Sequence, residues 1–237
     1  MAESVFRFKQ FELHQHEDVA KVGTDSVIMG SYIVFSDSVQ SALEIGAGTG
    51  VISLMIAQRY PAVRIDAIDI DPLSVAICLK NFRQSAWTNQ LQVYEADLRK
   101  YHSSYKYDFI FTNPPYFING QMPLSETRKR IRHAVSLDMS QLFAAVNQLL
   151  SESGLFCLIS PYQNRTAIIS AAQKNGFYEC SVLNIRNREE QPLIRQIITF
   201  SRSEPGTISS KEISIYGNDR KYSQKLTELL SDYLIIF

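Results

Sequence analysis

Cysteine and histidine are scarce in this chain. Cys78, Cys157 and Cys180 are odd in number and far apart, which argues against a disulfide frame or a zinc site and for buried intracellular thiols. The four histidines show no metal-ligand spacing, so no metal is expected. No apolar run reaches the roughly 18 residues that a membrane-spanning helix requires. The N-terminus lacks the charged, apolar and small-residue regions of a signal peptide. A cytoplasmic protein without membrane association is the expectation. Repeats, low-complexity stretches and linkers are also missing, and 237 residues suffice for one large domain over 1–237, taken as a monomer. Net charge is zero, so composition alone gives no pull toward nucleic acid. The distribution is less even. Residues 1–120 carry 10 Lys/Arg and 13 Asp/Glu, while 121–237 carry 14 and 11. The local excess is Arg128-Lys129-Arg130-Ile131-Arg132-His133, which reads either as a solvated basic loop or as a phosphate-contacting one.

Strand-like and helix-like segments alternate, the pattern of an α/β fold with a mostly parallel sheet and helices on both faces. Ser41–Ile45, Val63–Asp69, Leu91–Tyr94 and Tyr107–Thr112 read as the first four strands. Val51–Arg59 carries Val51, Leu54, Met55 and Gln58 at helical spacing. Asp71-Pro72 opens a second helix, to about Gln84, because aspartate suits the N-cap and proline the first turn. A helix over Ser140–Leu150 is expected to stop near Gly154, with a fifth strand over Leu155–Ser160. A helix over Arg165–Lys174 ends at Asn175-Gly176. Phe177–Ile185 and Leu193–Phe200 have no helix between them and predict an antiparallel pair at the end of the sheet. Tyr222–Tyr233 predicts a last short helix. Residues 1–35 are expected to cover one side of the site, and 203–237 to form a C-terminal extension.

Between the first strand and the first helix lies Glu44-Ile45-Gly46-Ala47-Gly48-Thr49-Gly50. Its glycines allow a sharp turn and close approach to a ligand at the head of the sheet. The spacing is Gly-x-Gly-x-Gly, neither the Gly-x-Gly-x-x-Gly of dinucleotide binders nor a P-loop, so nothing here is built for a polyphosphate. Asp69 ends the second strand, where a carboxylate can accept both hydroxyls of a ribose. Asp97, after the third strand, can accept from the exocyclic amine of a nucleobase. A helix cap or a solvated turn is the alternative for each aspartate. Asp71 is the better cap, because it directly precedes Pro72, which leaves Asp69 to a ligand. Glu44 orients either the loop or a ligand amine, or is simply structural.

The fourth strand runs into Asn113-Pro114-Pro115-Tyr116. Two prolines cannot continue a ladder, so the strand ends in a rigid turn with an amide before it and an aromatic ring after it. An amide oxygen, a fixed carbonyl and a stacking face can together grip a planar molecule bearing an amino group.

Taken together these residues resemble the class I S-adenosylmethionine (SAM) methyltransferases, whose implied fold is a seven-stranded, Rossmann-like sheet with an antiparallel last strand. Glu44–Gly50 looks like their first motif, Asp69 like their ribose acid, Asp97 like their adenine-contacting acid, and Asn113–Tyr116 like the catalytic motif of the amino-methyltransferases. A closer similarity is to the bacterial tRNA1(Val) (adenine-37-N6)-methyltransferase family. It rests on Phe8–Phe11, Lys21–Asp25, Asn81–Trp87, Pro114–Phe117 and Asn218–Ser223. The resemblance implies SAM as methyl donor and tRNA as partner. It implies a cofactor site of Thr24, Asp25, Glu44, Gly46, Ala47, Gly48, Gly50, Asp69, Ile70, Asp97, Leu98 and Asn113, with Thr24 and Asp25 near the methionine end or, alternatively, capping a helix. Asn113, Pro114, Pro115 and Tyr116 are the implied catalytic residues. Tyr116, Phe117, Arg128, Lys129, Arg130 and Arg132 are the implied RNA contacts, although Phe117 is as readily a packing residue. Trp87 reads as core. Methylation of another amine (a protein glutamine, a guanine N2) and a non-catalytic SAM- or RNA-binding module are the competing readings.

Overall fold

A computed structural model describes residues 3–19, 21–114, 138–219 and 221–236. In chain order its elements are β1 (Glu3–Arg7), β2 (Glu12–His16), α1 (Thr24–Tyr32), β3 (Ser41–Ile45), α2 (Val51–Arg59), β4 (Arg64–Asp69), α3 (Pro72–Gln84), β5 (Leu91–Glu95), β6 (Tyr107–Thr112), α4 (Met139–Leu149), β7 (Leu150–Pro161), α5 (Arg165–Lys174), β8 (Tyr178–Arg186), β9 (Leu193–Ser201), β10 (Ser209–Ser214) and α6 (Gln224–Leu230).

Among the described residues one sheet has eight strands, in the order β10-β8-β9-β7-β6-β3-β4-β5, and β1 and β2 form a separate antiparallel pair. The sheet is thus one strand larger than expected. β9 is the antiparallel member and lies between β7 and β8. The extra strand, β10, adds in parallel to the outer edge of β8. Its sequence, Ser209-Ser210-Lys211-Glu212-Ile213-Ser214, is polar and mostly exposed, as befits an edge strand, and so carries no alternation to read. β7 starts at Leu150, directly after α4, not after Gly154. The last helix is shorter than expected at both ends, with Ser223 capping it through the Leu226 N–H.

Local chemistry accounts for the helices near the site. The Asp71 carboxylate accepts from the N–H groups of Leu73 (3.4 Å) and Ser74 (3.1 Å), so the aspartate before Pro72 is the cap that its position foretells. Asp138 and Gln141 cap α4 reciprocally. Gly176, at φ +78°, ends the α5 turn. The sheet separates two apolar cores. One holds Ala42, Phe109, Phe111, Cys157 and Ile159 against α1, α2, α3 and α6. The other holds Leu43, Ile45, Ile110, Phe156 and Leu158 against α4 and α5. Alternate strand residues therefore divide between the two faces, as the pleat requires. Buried Asp66 accepts from the Tyr107 hydroxyl at 2.8 Å and from Tyr105, which ties β4 to the start of β6.

β4 and β5 extend from one side of β3, and β6 from the other. That reversal makes a crevice beyond the carboxyl ends of β3 and β6, the position where open α/β sheets take ligands.

Candidate active site

Register aligns the site. Ile45 pairs with Thr112 on one side and Ile68 on the other. Gly46 is therefore level with Asn113 and with Asp69, so a strand spacing of about 4.8 Å puts Asn113 and Asp69 roughly 10 Å apart across the loop. The Thr112 hydroxyl donates to the Ile45 carbonyl (2.8 Å), bolting the end of β6 to the start of the glycine loop.

The N–H groups of Gly46 and Ala47 both donate to the Ile68 carbonyl, and the Gly48 N–H donates to Asp69 Oδ2 at 2.9 Å. Gly46, Gly48 and Gly50 all have positive φ (+75°, +54° and +76°). Their surroundings differ. A Cβ on Gly46 or Gly48 would meet nothing within 4 Å, so these two front open space that a ligand can enter. A Cβ on Gly50 would lie 2.6 Å from Phe82 Cε1 and 2.7 Å from Cys78 Sγ. Gly50 is therefore also a packing glycine that lets α3 approach the loop.

Asp69 is half-buried and already engaged. Oδ2 takes the Gly48 N–H, and Oδ1 takes the Asp71 N–H at 3.0 Å. Burial raises its carboxyl above the usual range against these two bonds. Each oxygen keeps further acceptor capacity, which suits a pair of ribose hydroxyls. Glu44, 2% exposed, accepts from the Ser53 N–H (3.2 Å) and the Ser53 hydroxyl in the first turn of α2. Burial pushes its carboxyl up to about 8. These bonds tie the end of β3 to the first turn of α2 across the glycine loop. Ile70 is half-buried, while Ala47 and Leu98 are buried.

Asp97 caps the turn Leu98–Lys100 through the Arg99 N–H (3.0 Å), and both its oxygens face the Arg99 guanidinium. Hydrogen bonding to Arg99 holds its carboxyl below the usual range. Asp97 is thus a cap in this structure, and any ligand amine there would share the carboxylate with Arg99.

Thr24 and Asp25 open α1, but neither caps it. Gly23 is the N-cap residue, with no side-chain cap bond. Asp25 Oδ2 instead accepts from Arg195 Nε of β9 at 2.9 Å. Beside it, Ser26 Oγ accepts from Asn113 Nδ2 at 2.9 Å. The first turn of α1 thus lies over the ends of β6 and β9. Neither Arg195 nor Ser26 carries a local signal, since the partners are 170 and 87 residues away. Asn81, at the start of the Asn81–Trp87 segment, is buried and joins His14 of β2 to the Thr49 carbonyl of the glycine loop (2.9 Å). Trp87, half-buried, packs edge-on against Phe11. Pro114 closes the described part of the turn. Pro115, Tyr116, Phe117, Arg128, Lys129, Arg130 and Arg132 lie outside the described residues.

Cys78 and Cys157 are buried and Cys180 half-buried, all three free thiols. Among the described residues, no group of three or more His, Cys, Asp or Glu is placed to hold a metal ion, and no helix is long and apolar enough to cross a membrane.

Residues 32–167 match the family described as Methyltransferase small domain. The tRNA1(Val) (adenine(37)-N6)-methyltransferase of Photorhabdus laumondii is 34% identical over 235 residues, covering 98% of this chain and 96% of that protein. The enzyme of the same name from Flavobacterium psychrophilum is 33% identical over 218 residues, 91% of this chain and 92% of that protein. Among solved structures, a predicted O-methyltransferase from Agrobacterium tumefaciens superposes with a TM-score of 0.70 at 15% identity, over 88% of this chain and 96% of that one, which supports the fold alone. This chain belongs to the methyltransferase small domain family and, within it, to the family of the tRNA1(Val) (adenine(37)-N6)-methyltransferases.

Proposed function

We propose that this protein transfers the methyl group of SAM to N6 of an adenine in tRNA, adenine 37 in the anticodon loop of a valine tRNA. The reading is carried by the level alignment of Asn113, Gly46 and Asp69 at the switch point of the sheet, in a chain whose full-length relatives bear this activity in their names. The cofactor reading is supported by the open faces of Gly46 and Gly48 and by an adjacent carboxylate with acceptor capacity left. Asp69 holds the ribose hydroxyls, and the backbone of the glycine loop makes room beside them. SAM supplies a methyl group made electrophilic by its sulfonium.

The N6 lone pair of adenine is delocalised into the ring, so the amine is a poor nucleophile until its geometry changes. Asn113 Oδ1 and the Pro114 carbonyl each accept one N6 hydrogen and favour a pyramidal nitrogen. The same acceptors meet the positive charge that grows on nitrogen, a preorganised electrostatic effect on the order of 3 kcal/mol. No strong general base is needed, because the methylated ammonium loses its proton readily. Tyr116 stacks on the base, which must first leave its loop at a cost of a few kcal/mol. The basic run 128–133 contacts backbone phosphates. Residues 1–35 border the cofactor site, a reading supported by the Asn81 link from β2 to Thr49.

Incubation with SAM and total tRNA, followed by nucleoside mass spectrometry, tests the proposal. New N6-methyladenosine at position 37 of a valine tRNA is the expected product. Methylated glutamine in an added release factor, or no product, would overturn it.

A further inference from the structure

Two buried amide side chains join segments that the sheet leaves apart. Asn81, on α3, is 1% exposed. Its Oδ1 accepts from the His14 N–H at 2.8 Å, and its Nδ2 donates to the carbonyls of His14 (3.0 Å) and Thr49 (2.9 Å). It therefore serves one edge of β2 as a neighbouring strand would, and ties that edge to the glycine loop. One residue on, Gln15 is 6% exposed, and its Oε1 accepts from the Val22 N–H at 2.8 Å. A backbone N–H only donates and a carbonyl only accepts, so these partners fix which end of each amide faces them.

Val22 stands in the stretch Lys21–Asp25, which leads from β2 into α1. Lys21, Gly23 and Thr24 are exposed, and Val22 and Asp25 are half-buried. Gly23 gives α1 no side-chain cap. So open a stretch is ordered by the few places where it is pinned. Downstream the pins are the Asp25–Arg195 ion pair and the Ser26–Asn113 bond. Upstream they are the Val22 side chain, which packs against the core, and the Val22 N–H on Gln15. Hydrogen bonds thus run from the glycine loop through Asn81, β2 and Gln15 to Val22, and the chain continues from there to the α1 turn bonded to Asn113.

We infer that Gln15 is a positioning residue for the methyl donor: its side-chain oxygen, by holding the Val22 N–H, keeps Lys21–Asp25 in place as one wall of the crevice before the donor arrives. The inference rests on the proposed SAM reaction and deepens it. Gln15, itself buried, acts through Val22. Without that bond the stretch is ordered only on binding, and the cost falls on donor affinity. One neutral hydrogen bond corresponds to roughly a fivefold change in affinity.

The test compares Gln15→Met and Gln15→Glu with the wild-type chain. Methionine keeps the length and gives up the amide oxygen, whereas glutamate keeps an oxygen for the Val22 N–H. The measurements are SAM affinity by calorimetry, amide exchange at Val22 by NMR, and thermal midpoint. Gln15→Met should lower SAM affinity about fivefold and speed exchange at Val22. Its midpoint should fall by no more than about 4 °C, the effect of a single hydrogen bond in a chain of this length. Gln15→Glu should bind SAM within about twofold of wild type, with Val22 still protected. Unchanged SAM affinity in Gln15→Met overturns the inference, because a side chain that only supports the fold would move the midpoint alone. Unchanged exchange at Val22, a larger midpoint loss, or an equal affinity loss in Gln15→Glu overturns it as well. A wild-type chain that binds no SAM refutes the reading of the reaction. Equal binding by wild type and Gln15→Met refutes only the role of Gln15.

Discussion

Replacing Glu44 by glutamine should make the protein more stable, and increasingly so as pH rises. The Glu44 carboxyl is 2% exposed on β3 and meets Ser53 in α2. Burial lifts it from the ordinary 4.5 to about 8, against the lowering effect of the Ser53 hydroxyl and N–H, and the nearby Asp69 charge lifts it further. A carboxyl raised in the folded state stabilises most below the unfolded value and loses that stability as pH climbs through the folded one. Each pH unit in that window costs about 1.4 kcal/mol. The loss is then about 3 kcal/mol by pH 7 and levels off near about 5 kcal/mol above pH 8. Glutamine keeps the shape, and its oxygen in the place of Oε2 accepts from both the Ser53 N–H and the Ser53 hydroxyl. For a chain of this length, about 5 kcal/mol corresponds to a rise in Tm of roughly 10 °C. Differential scanning calorimetry of both proteins from pH 5 to pH 8.5 is the assay. Titrating groups distant from Glu44 are common to the two chains and cancel in the difference, leaving Glu44 and its coupling to Asp69. The gap should be small at pH 5 and widen toward pH 8.5. A gap that stays constant with pH would show that Glu44 is charged at neutral pH and that its burial does not control its protonation.

The remaining predictions address the two sides of the site. Asn113→Ala should abolish methyl transfer yet leave SAM affinity nearly intact, whereas Asp69→Ala should weaken SAM binding at least tenfold, about 1.4 kcal/mol; equal loss of SAM affinity in both, read by calorimetry, would contradict the assignment. Gly48→Ala should lower SAM affinity with a backbone-strain cost of about 1–2 kcal/mol in denaturant unfolding, since its Cβ meets no atom. Gly50→Ala should cost more than that in stability, because strain is joined by collision with Phe82 and Cys78. Arg128→Ala with Arg130→Ala should weaken tRNA binding and flatten its salt dependence with SAM affinity unchanged, as read by filter binding across salt concentrations.

Much of the frame is legible in the chain because its signals are local. Asp71-Pro72 marks the start of α3 to the residue, and Gly176 marks the end of α5. The glycine loop announces a ligand crevice, and the proline pair announces the end of β6. What is not legible is whatever depends on two distant segments meeting. The β1–β2 pair has no parallel-strand pattern to join, and β10 is too polar to show a period. Gly50 looks like its neighbours in sequence, and only the approach of Phe82 gives it a second role. Asp97 has the right place for a ligand acid, yet Arg99, two residues on, claims both oxygens. That pair was visible as Asp-x-Arg, with an aspartate able to cap the short turn after it.

The sheet register does more for the site than any single side chain. Ile45 is the shared partner of Thr112 and Ile68, so the loop after β3 is flanked by the ends of both neighbours at one level. A slip of one residue between β6 and β3 would turn Phe109 and Phe111 from the α2 side toward α4, and Ile110 the other way. It would also take the Thr112 hydroxyl off the Ile45 carbonyl and swing Asn113 away from Ser26. Both faces of β6 are buried, so a slip keeps these side chains in apolar surroundings but puts two phenylalanines where one isoleucine fits and the reverse, a volume mismatch of about 1–3 kcal/mol per overpacked site before any polar contact is counted. The alternating apolar residues of β6 are thus what hold the asparagine at the crevice, and the hydrogen bonds at the tip refine a position that packing has already chosen.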